Sequence, residues 1–416
     1  MTKERRSAVQ YNENQKATYL FCAKFQNVNT PPLTILEWNE LILRLKQSNL
    51  EPKDLLKMTA NEISTILLDS KKQNNIFKKI ESRQKLGFSM MELDQLSNQG
   101  YKIMFRQNMP KRMKEKIDSK NLPPFFYLLG DTSIFTYLAL GVVGSRDASK
   151  EEIKETENIG NQAAKEGIII VSGGARGIDE TAVNSCLNNG GKAIVFPSEG
   201  LESWIKRKEI RKYINNNQLL LISAQHISAR FTGAYAMQRN KYIHTTAHAV
   251  LVASAKVHLP GKDNLSGTWS GVMENVNAKW TPIFVKGDSE GVKILLTKDY
   301  AKPLDSLEDI LAIASPKKTS LFLQQEISKI LIDMKNLGLS EKDVKDEILT
   351  LLKKIYNNPE EKSLTPASSN NSILSEVDNI ITASSEKYVE ATDKEEKLNP
   401  VQLSLSDLIE QKPHRS

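Results

Sequence analysis

One stretch narrows the folds open to this chain. The apolar run Ile168-Ile169-Ile170-Val171 stops at Ser172-Gly173-Gly174, passes through Ala175-Arg176-Gly177, and resumes as a helix start at Ile178-Asp179. Four β-branched apolar residues in a row suit a strand buried on both faces, as in a parallel sheet. Adjacent glycines at its carboxyl end permit positive φ and let an anion come close to the main chain. The free N–H groups of the following helix add partial positive charge. Arg176 adds a full charge and a planar fork of donors. The segment Val171–Asp179, VSGGARGID, is a loop suited to phosphate; whose phosphate is left open by these residues alone.

The neighbouring sequence supplies the sheet. Strand patterns at 138–143, 168–171, 192–196, 219–222, 249–253 and 282–285 alternate with helical patterns at 150–166, 180–188, 201–215, 235–243 and 267–278. Such alternation predicts an α/β fold, a parallel sheet with helices on both faces. Ligands of such sheets sit at the carboxyl ends of the strands, near a switch point. Shorter strands are expected from Gly100 and over 125–129, around a basic turn of helix at 110–118.

Upstream, helical spacing recurs from Lys16, from Thr34 through Leu36, Trp38, Leu41, Ile42 and Leu45, and over 52–57 and 59–68. Thr59 and Glu62 form a capping box. The segments 71–87 and 89–99 complete a small helical domain, and its basic helices read as solvated faces rather than as nucleic-acid contacts. Downstream, 319–356 reads as a helical pair split at Gly338 and restarted at Ser340 with Asp343. The Ser-, Glu- and Lys-rich stretch 357–399 has too little apolar content to fold. Val401–Ile409 is a short apolar segment on that tail, a docking segment or residual hydrophobics. The expected domains are therefore 1–99, 100–315, a helical segment 316–357, and a disordered tail 358–416.

The 416 residues are 39% hydrophobic, which excludes a largely disordered chain. Lys and Arg number 57 against 50 acidic residues, a net +7 that favours a polyanion partner without requiring one. Cys22 and Cys186 are far apart and make neither a disulfide framework nor a zinc motif. No apolar run spans a bilayer, and the start has no apolar signal core. A cytoplasmic protein without membrane contact is expected.

Several strand ends carry chemistry. Gly144-Ser145-Arg146 follows one strand, and Ser172-Gly173-Gly174 with Arg176-Gly177 follows the next. Arg239-Asn240-Lys241 precedes the strand at 249–253, and Ser266-Gly267-Thr268 opens the helix after it. Each of these is unremarkable alone. On one sheet edge they would gather cations around glycine loops, an arrangement for a phosphodiester strand or a nucleotide with several phosphates. Neither a Walker A motif nor GxGxxG is present. His244 and His248 lack the glutamate of HExxH, so no metal is expected. Trp269 reads as core, and Asp179 as an N-cap or hydrogen-bonding support. No catalytic constellation and no cofactor is expected.

At these residues the sequence resembles the DprA/Smf family of DNA-processing proteins. The ordered matches are the segment 110–130 with its Tyr127–Asp131 ending, GVVGSR at 141–146, VSGGARGID at 171–179, Gly190-Gly191-Lys192, Arg239-Asn240-Lys241 for the family's Arg-Asn-Arg, Ser266-Gly267-Thr268, and the closing segment 291–311. The resemblance implies an extended Rossmann-like domain that binds single-stranded DNA in a basic pocket, works as a homodimer and loads a RecA-type recombinase, without catalysis. It implies that Arg146, Gly173, Gly174, Arg176, Arg239 and Lys241 hold phosphates and that Asn240 orients the loop. The sequence departs from the family at Val183, at Ser223-Ala224 and near Gly200, where Trp204 stands. Two other readings remain: a nucleotide sensor or nucleotide-cleaving enzyme like the LOG-type phosphoribohydrolases, with Asp179 or Glu274 acting, or a protein-docking scaffold.

Overall fold

The structure, a computed structural model, describes residues 10–25, 29–67, 71–86, 89–257 and 266–314. The expected helical pair, linker and apolar tail segment lie outside the described residues. The chain divides into two compact units, Met1–Ile310 and Leu311–Ser416.

In the first unit, nine strands form one sheet. In chain order they are β1 (Tyr101–Phe105), β2 (Phe125–Leu129), β3 (Ala139–Val143), β4 (Ile169–Ser172), β5 (Ala193–Val195), β6 (Leu219–Ser223), β7 (Ala249–Val252), β8 (Ile283–Val285) and β9 (Lys302–Pro303). Their spatial order is β1-β2-β6-β5-β4-β3-β7-β8-β9. From β6 to β9 every pairing is parallel. Strands β3, β4, β6 and β7 are buried at every residue, which explains their unbroken apolar runs.

An antiparallel edge stands beside the expected parallel sheet. Strands β1 and β2 run antiparallel to each other, and β2 is antiparallel to β6. The link between β1 and β2 holds only a 3-10 turn and the six-residue helix Lys111–Lys116. The chain turns back along the same edge, as an antiparallel pair allows and a parallel crossover does not. The two-residue edge strand β9 was too short to show a period. The pattern at 201–215 also resolves into two helices, Leu201–Ile205 and Lys208–Asn215.

The helix Lys150–Lys165 starts at a capping box, with Ser149 Oγ accepting the Glu152 N–H at 3.1 Å and Glu152 accepting the Ser149 N–H at 2.8 Å. It packs on the helix Ile178–Asn188, and Gly160 lets the two come close: a Cβ there would stand 2.0 Å from Ser185 Oγ.

The N-terminal helices pack on the antiparallel edge. The Tyr19 ring lies 5.3 Å from Phe125 and 6.3 Å from Tyr127. Tyr11 Oη accepts the Ile103 N–H at 2.9 Å, and Arg106 Nη1 donates to Asn39 Oδ1 at 2.6 Å. The basic helix Lys71–Gln84 is not simply a solvated face. Lys79 is buried against Glu37 at 2.7 Å, and Arg83 is wholly buried. Cations at helical spacing look alike in sequence whether they face water or the interior.

Candidate nucleic-acid interface

The chain steps from β3 through β4 and β5 to β6, then returns to place β7 on the other side of β3. The carboxyl ends of β3, β4 and β7 therefore meet at a switch point. A cavity of 680 Å³ opens there, lined by Gly144, Ser145, Arg146 and Asp147 after β3, Ala175 and Asp179 after β4, and Lys256 after β7. Arg239, Asn240, His244 and the start of the helix Gly267–Ala278 close it. A second cavity of 410 Å³ adjoins it, lined by Gly173, Gly174, Arg176, Trp204 and Arg207. Arg146, Ala175 and Phe231 belong to both.

Short polar links hold the loops. Asp179 is buried in the first turn of the helix Ile178–Asn188. Its Oδ1 accepts the Gly144 N–H and its Oδ2 the Gly173 N–H, each at 3.2 Å, so one carboxylate ties the β3 and β4 loops together. Burial pushes its pKa up, against the pull of nearby Arg239 and the backbone donors. Thr268 Oγ1 donates to the Gly144 carbonyl at 2.9 Å, and Asn240 Nδ2 donates to the Gly267 carbonyl at 2.8 Å. The helix Gly267–Ala278 is capped by Ser266, whose Oγ accepts the Trp269 N–H at 3.3 Å. The start of the helix Gly267–Ala278 lines the larger cavity, an electrostatic setting for an anion.

Arg239 is the central cation. The expected helix at 235–243 breaks at this residue into Gly233–Gln238 and Asn240–Thr246. Its side chain is 4% exposed, with Nη2 3.9 Å from Asp179 Oδ2. Its Nε and Nη1 are buried without a hydrogen-bond partner. The guanidinium lies on Gly173: a Cβ there would stand 1.7 Å from Nη1. Burial lowers the pKa of Arg239, and Asp179 opposes the shift. An arginine so placed is short of acceptors, and a bound anion would supply them. His244, also buried, has no partner for Nδ1. Its pKa is pushed down to about 3 by burial and then by Arg239, so the ring is neutral.

Of the residues singled out in the sequence, Gly144, Ser145, Arg146, Arg239, Asn240, Ser266, Gly267 and Thr268 line the larger cavity. Gly173, Gly174, Arg176 and again Arg146 line the smaller one. Three do not reach either. Ser172 is fully buried in β4 and donates its hydroxyl to the Val142 carbonyl at 2.6 Å. Gly177, at φ 87°, is the backbone turn that caps the helix Ile178–Asn188, a conformation side chains resist. Lys241 is buried, with Nζ 3.2 Å from Glu274 Oε1, and lines neither cavity. Asp179 supports the loops but is not an N-cap; Gly177 is. Trp269 packs against the core, as expected. His248 turns away from His244: its Nδ1 accepts the Ala139 N–H at 2.9 Å and its Nε2 meets Arg112 Nη1 at 2.9 Å.

The sequence reading passed over Phe231, 52% exposed on the wall between the cavities, with Arg146 Cζ 5.9 Å from its ring centroid. It also passed over Lys256 and Asp147. Lys256, four residues past β7, carries the same sequence signal as Arg146, a cation just after a strand end. Phe231 carried a fainter signal: a lone aromatic in the polar loop Ala229-Arg230-Phe231-Thr232.

Residues 101–314 match the family model described as DNA recombination-mediator protein A. Over 141 residues the chain is 32% identical to DNA processing protein DprA of Streptococcus pneumoniae; the match covers 32% of this chain and 48% of that relative, about half its length. The solved structure of DNA processing protein A from Streptococcus pneumoniae superposes with a TM-score of 0.54 at 21% identity, covering 73% of this chain and 98% of that one. A structure of DNA processing protein A from Helicobacter pylori, described for its single-stranded DNA binding mode, covers 50% of this chain and 93% of that one, at 24% identity and a TM-score of 0.41. The shared architecture is the extended Rossmann-like sheet flanked by helices. With the family model spanning more than half of its residues, the chain belongs to the DNA recombination-mediator protein A family.

Proposed function

We propose that this chain binds single-stranded DNA at the carboxyl edge of its sheet and acts as a recombination mediator, without catalysing a reaction. The observation that carries the reading is Arg239, a buried guanidinium with two unpartnered nitrogens, lying against Gly173 at a cavity lined by the start of the helix Gly267–Ala278. Backbone phosphates supply the missing acceptors. Arg146 and Arg176 extend the positive wall into the second cavity, and Phe231 offers an exposed ring to an unstacked base. Two adjoining cavities with shared walls suit a strand that continues past one phosphate. Family membership supports the same reading and adds two proposals, a homodimer and a RecA-type recombinase as the partner. The division at about residue 100 between a helical and a Rossmann-like domain belongs to this proposal as well, as does a cytoplasmic location; among the described residues no helix is long and apolar enough to cross a membrane.

The test is an electrophoretic shift with single-stranded and double-stranded oligonucleotides, using the wild type and the pair Arg176→Ala and Arg239→Ala combined. Single-strand binding that the double substitution weakens for all base sequences alike supports the reading. Unchanged affinity would sink it.

A nucleotide ligand is the second reading, favoured by the size of the larger cavity, which is within the range of small-molecule sites. Cleavage has less support, because Asp179 is engaged by two backbone N–H groups and Glu274 by Lys241. Incubation with nucleotides, with chromatography for free base and a thermal shift for binding, decides it.

A further inference from the structure

Among the described residues lining the larger cavity there are two carboxylates. Asp179 is buried and held by backbone donors, whereas Asp147 is exposed at the mouth. An exposed carboxylate is out of place in a groove for a polyanion, and its contacts are specific. Asp147 Oδ1 meets Arg176 Nη2 at 2.8 Å, and Oδ2 meets Lys256 Nζ at 3.3 Å. The backbone N–H of Asp147 donates to Ser145 Oγ at 3.2 Å, which fixes the loop that carries it. The three residues come from the loops after β3, β4 and β7, so a single carboxylate bridges the cations of the two flanking strand ends. The Lys256 hydrogen bond and charge, then Arg176, hold its pKa below the usual range, so it stays ionised at neutral pH.

Two oxygens, each on a different cation, are also what one phosphodiester presents through its non-bridging oxygens. We propose that Asp147 is an internal competitor for the phosphate position shared by Arg176 and Lys256, and that it sets the affinity and salt dependence of the site. This inference rests on the reading of the edge as a single-strand site. In the free protein the carboxylate neutralises one of the two cations. On binding, a phosphate takes over the pair and Asp147 turns into solvent, which its exposure permits. Removal of its charge leaves both cations free to release counterions on DNA.

The experiment is equilibrium binding of a single-stranded oligonucleotide to the full chain over a salt series. The proteins are the wild type, Asp147→Asn, the double variant Arg176→Ala with Lys256→Ala, and the triple variant. Asp147→Asn keeps the shape and the backbone link to Ser145. Its affinity at low salt is expected to rise about three- to fivefold, the scale of an exposed ion pair. The slope of log affinity against log salt is expected to steepen by up to about 0.7, because one cation that the carboxylate neutralises in the free protein then carries a counterion to release. In the background without Arg176 and Lys256 the gain from Asp147→Asn should vanish. An unchanged or weaker Asp147→Asn overturns the proposal, since the carboxylate is then inert or positions Arg176. A gain that persists without the two cations also overturns it, since the effect is then general repulsion. A wild type that does not bind the oligonucleotide at all sinks the functional reading itself, a separate outcome.

Discussion

Arg83 and Arg239 are both buried arginines, and they are buried differently. Arg83 sits within the N-terminal helices and donates from Nε to the Leu20 carbonyl at 2.7 Å, from Nη1 to that of Thr30 at 3.0 Å, and from Nη2 to that of Ala23. Its guanidinium also lies 4.8 Å from the Phe25 ring centroid. Each nitrogen of Arg83 has an acceptor in its own chain. Arg239 keeps Nε and Nη1 without one. The energetic difference is large, because a buried charge is tolerated when its donors are met and costly when they are not. The first arginine is complete and holds a fold together. The second is incomplete and waits at a cavity. Burial alone therefore does not separate structural from functional cations; unmet hydrogen-bond capacity does.

The sharpest way to break this comparison is to remove each arginine in turn. Arg83→Met strands buried carbonyls and should lower unfolding free energy by about 3–5 kcal/mol, read by urea denaturation. Arg239→Met removes a poorly compensated charge but leaves Asp179 with only its backbone donors, so it should cost less stability than Arg83→Met while oligonucleotide binding falls. Equal losses of stability in the two would abolish the contrast.

Acid should act on the two regions unequally. His244 and His248, in the sheet region, have pKa values pushed down to about 3, chiefly by burial. Each is neutral in the fold, while the unfolded chain takes up the proton near pH 6.5. The unfolded state thus binds more protons between pH 6.5 and 3. Stability is full above that window and falls as pH drops through it, at up to about 1.4 kcal/mol per pH unit for each group. His244→Phe should flatten part of that slope in thermal melts between pH 6.5 and 4; an unaltered slope would remove His244 from the account.

Smaller effects refine the site. Gly173→Ala places a methyl against the Arg239 guanidinium and should weaken single-strand binding about tenfold through displacement of that side chain, a 1.4 kcal/mol effect. Arg176→Ala touches an exposed cation, and should cost a few-fold in affinity and lower the salt slope by about 0.7. If Arg176→Ala proves the more damaging of the two, grip resides at the rim rather than at the buried arginine.

Much of the fold could be read from residues. The unbroken apolar runs of β3, β4, β6 and β7 announced strands buried on both faces, and the glycine loops marked their carboxyl ends. The antiparallel edge was not legible, because direction depends on where β2 inserts beside β6, and neither strand encodes that choice. The site was legible as a set of loops and less so as a set of side chains. Arg146, Arg176 and Arg239 all line a cavity, whereas Lys241, two residues past Arg239, turns onto Glu274. The helix also breaks at Arg239, and three successive polar residues give no hint of it. At Ser172, the last residue of β4, the hydroxyl is bonded to the neighbouring strand.

The most direct measurement is single-strand oligonucleotide affinity of Arg239→Met across a salt series, with the melting temperature of the same samples. The account predicts a variant that still melts cooperatively and binds at least about tenfold more weakly, with a shallower salt slope. A folded Arg239→Met that binds with wild-type affinity and slope would contradict it.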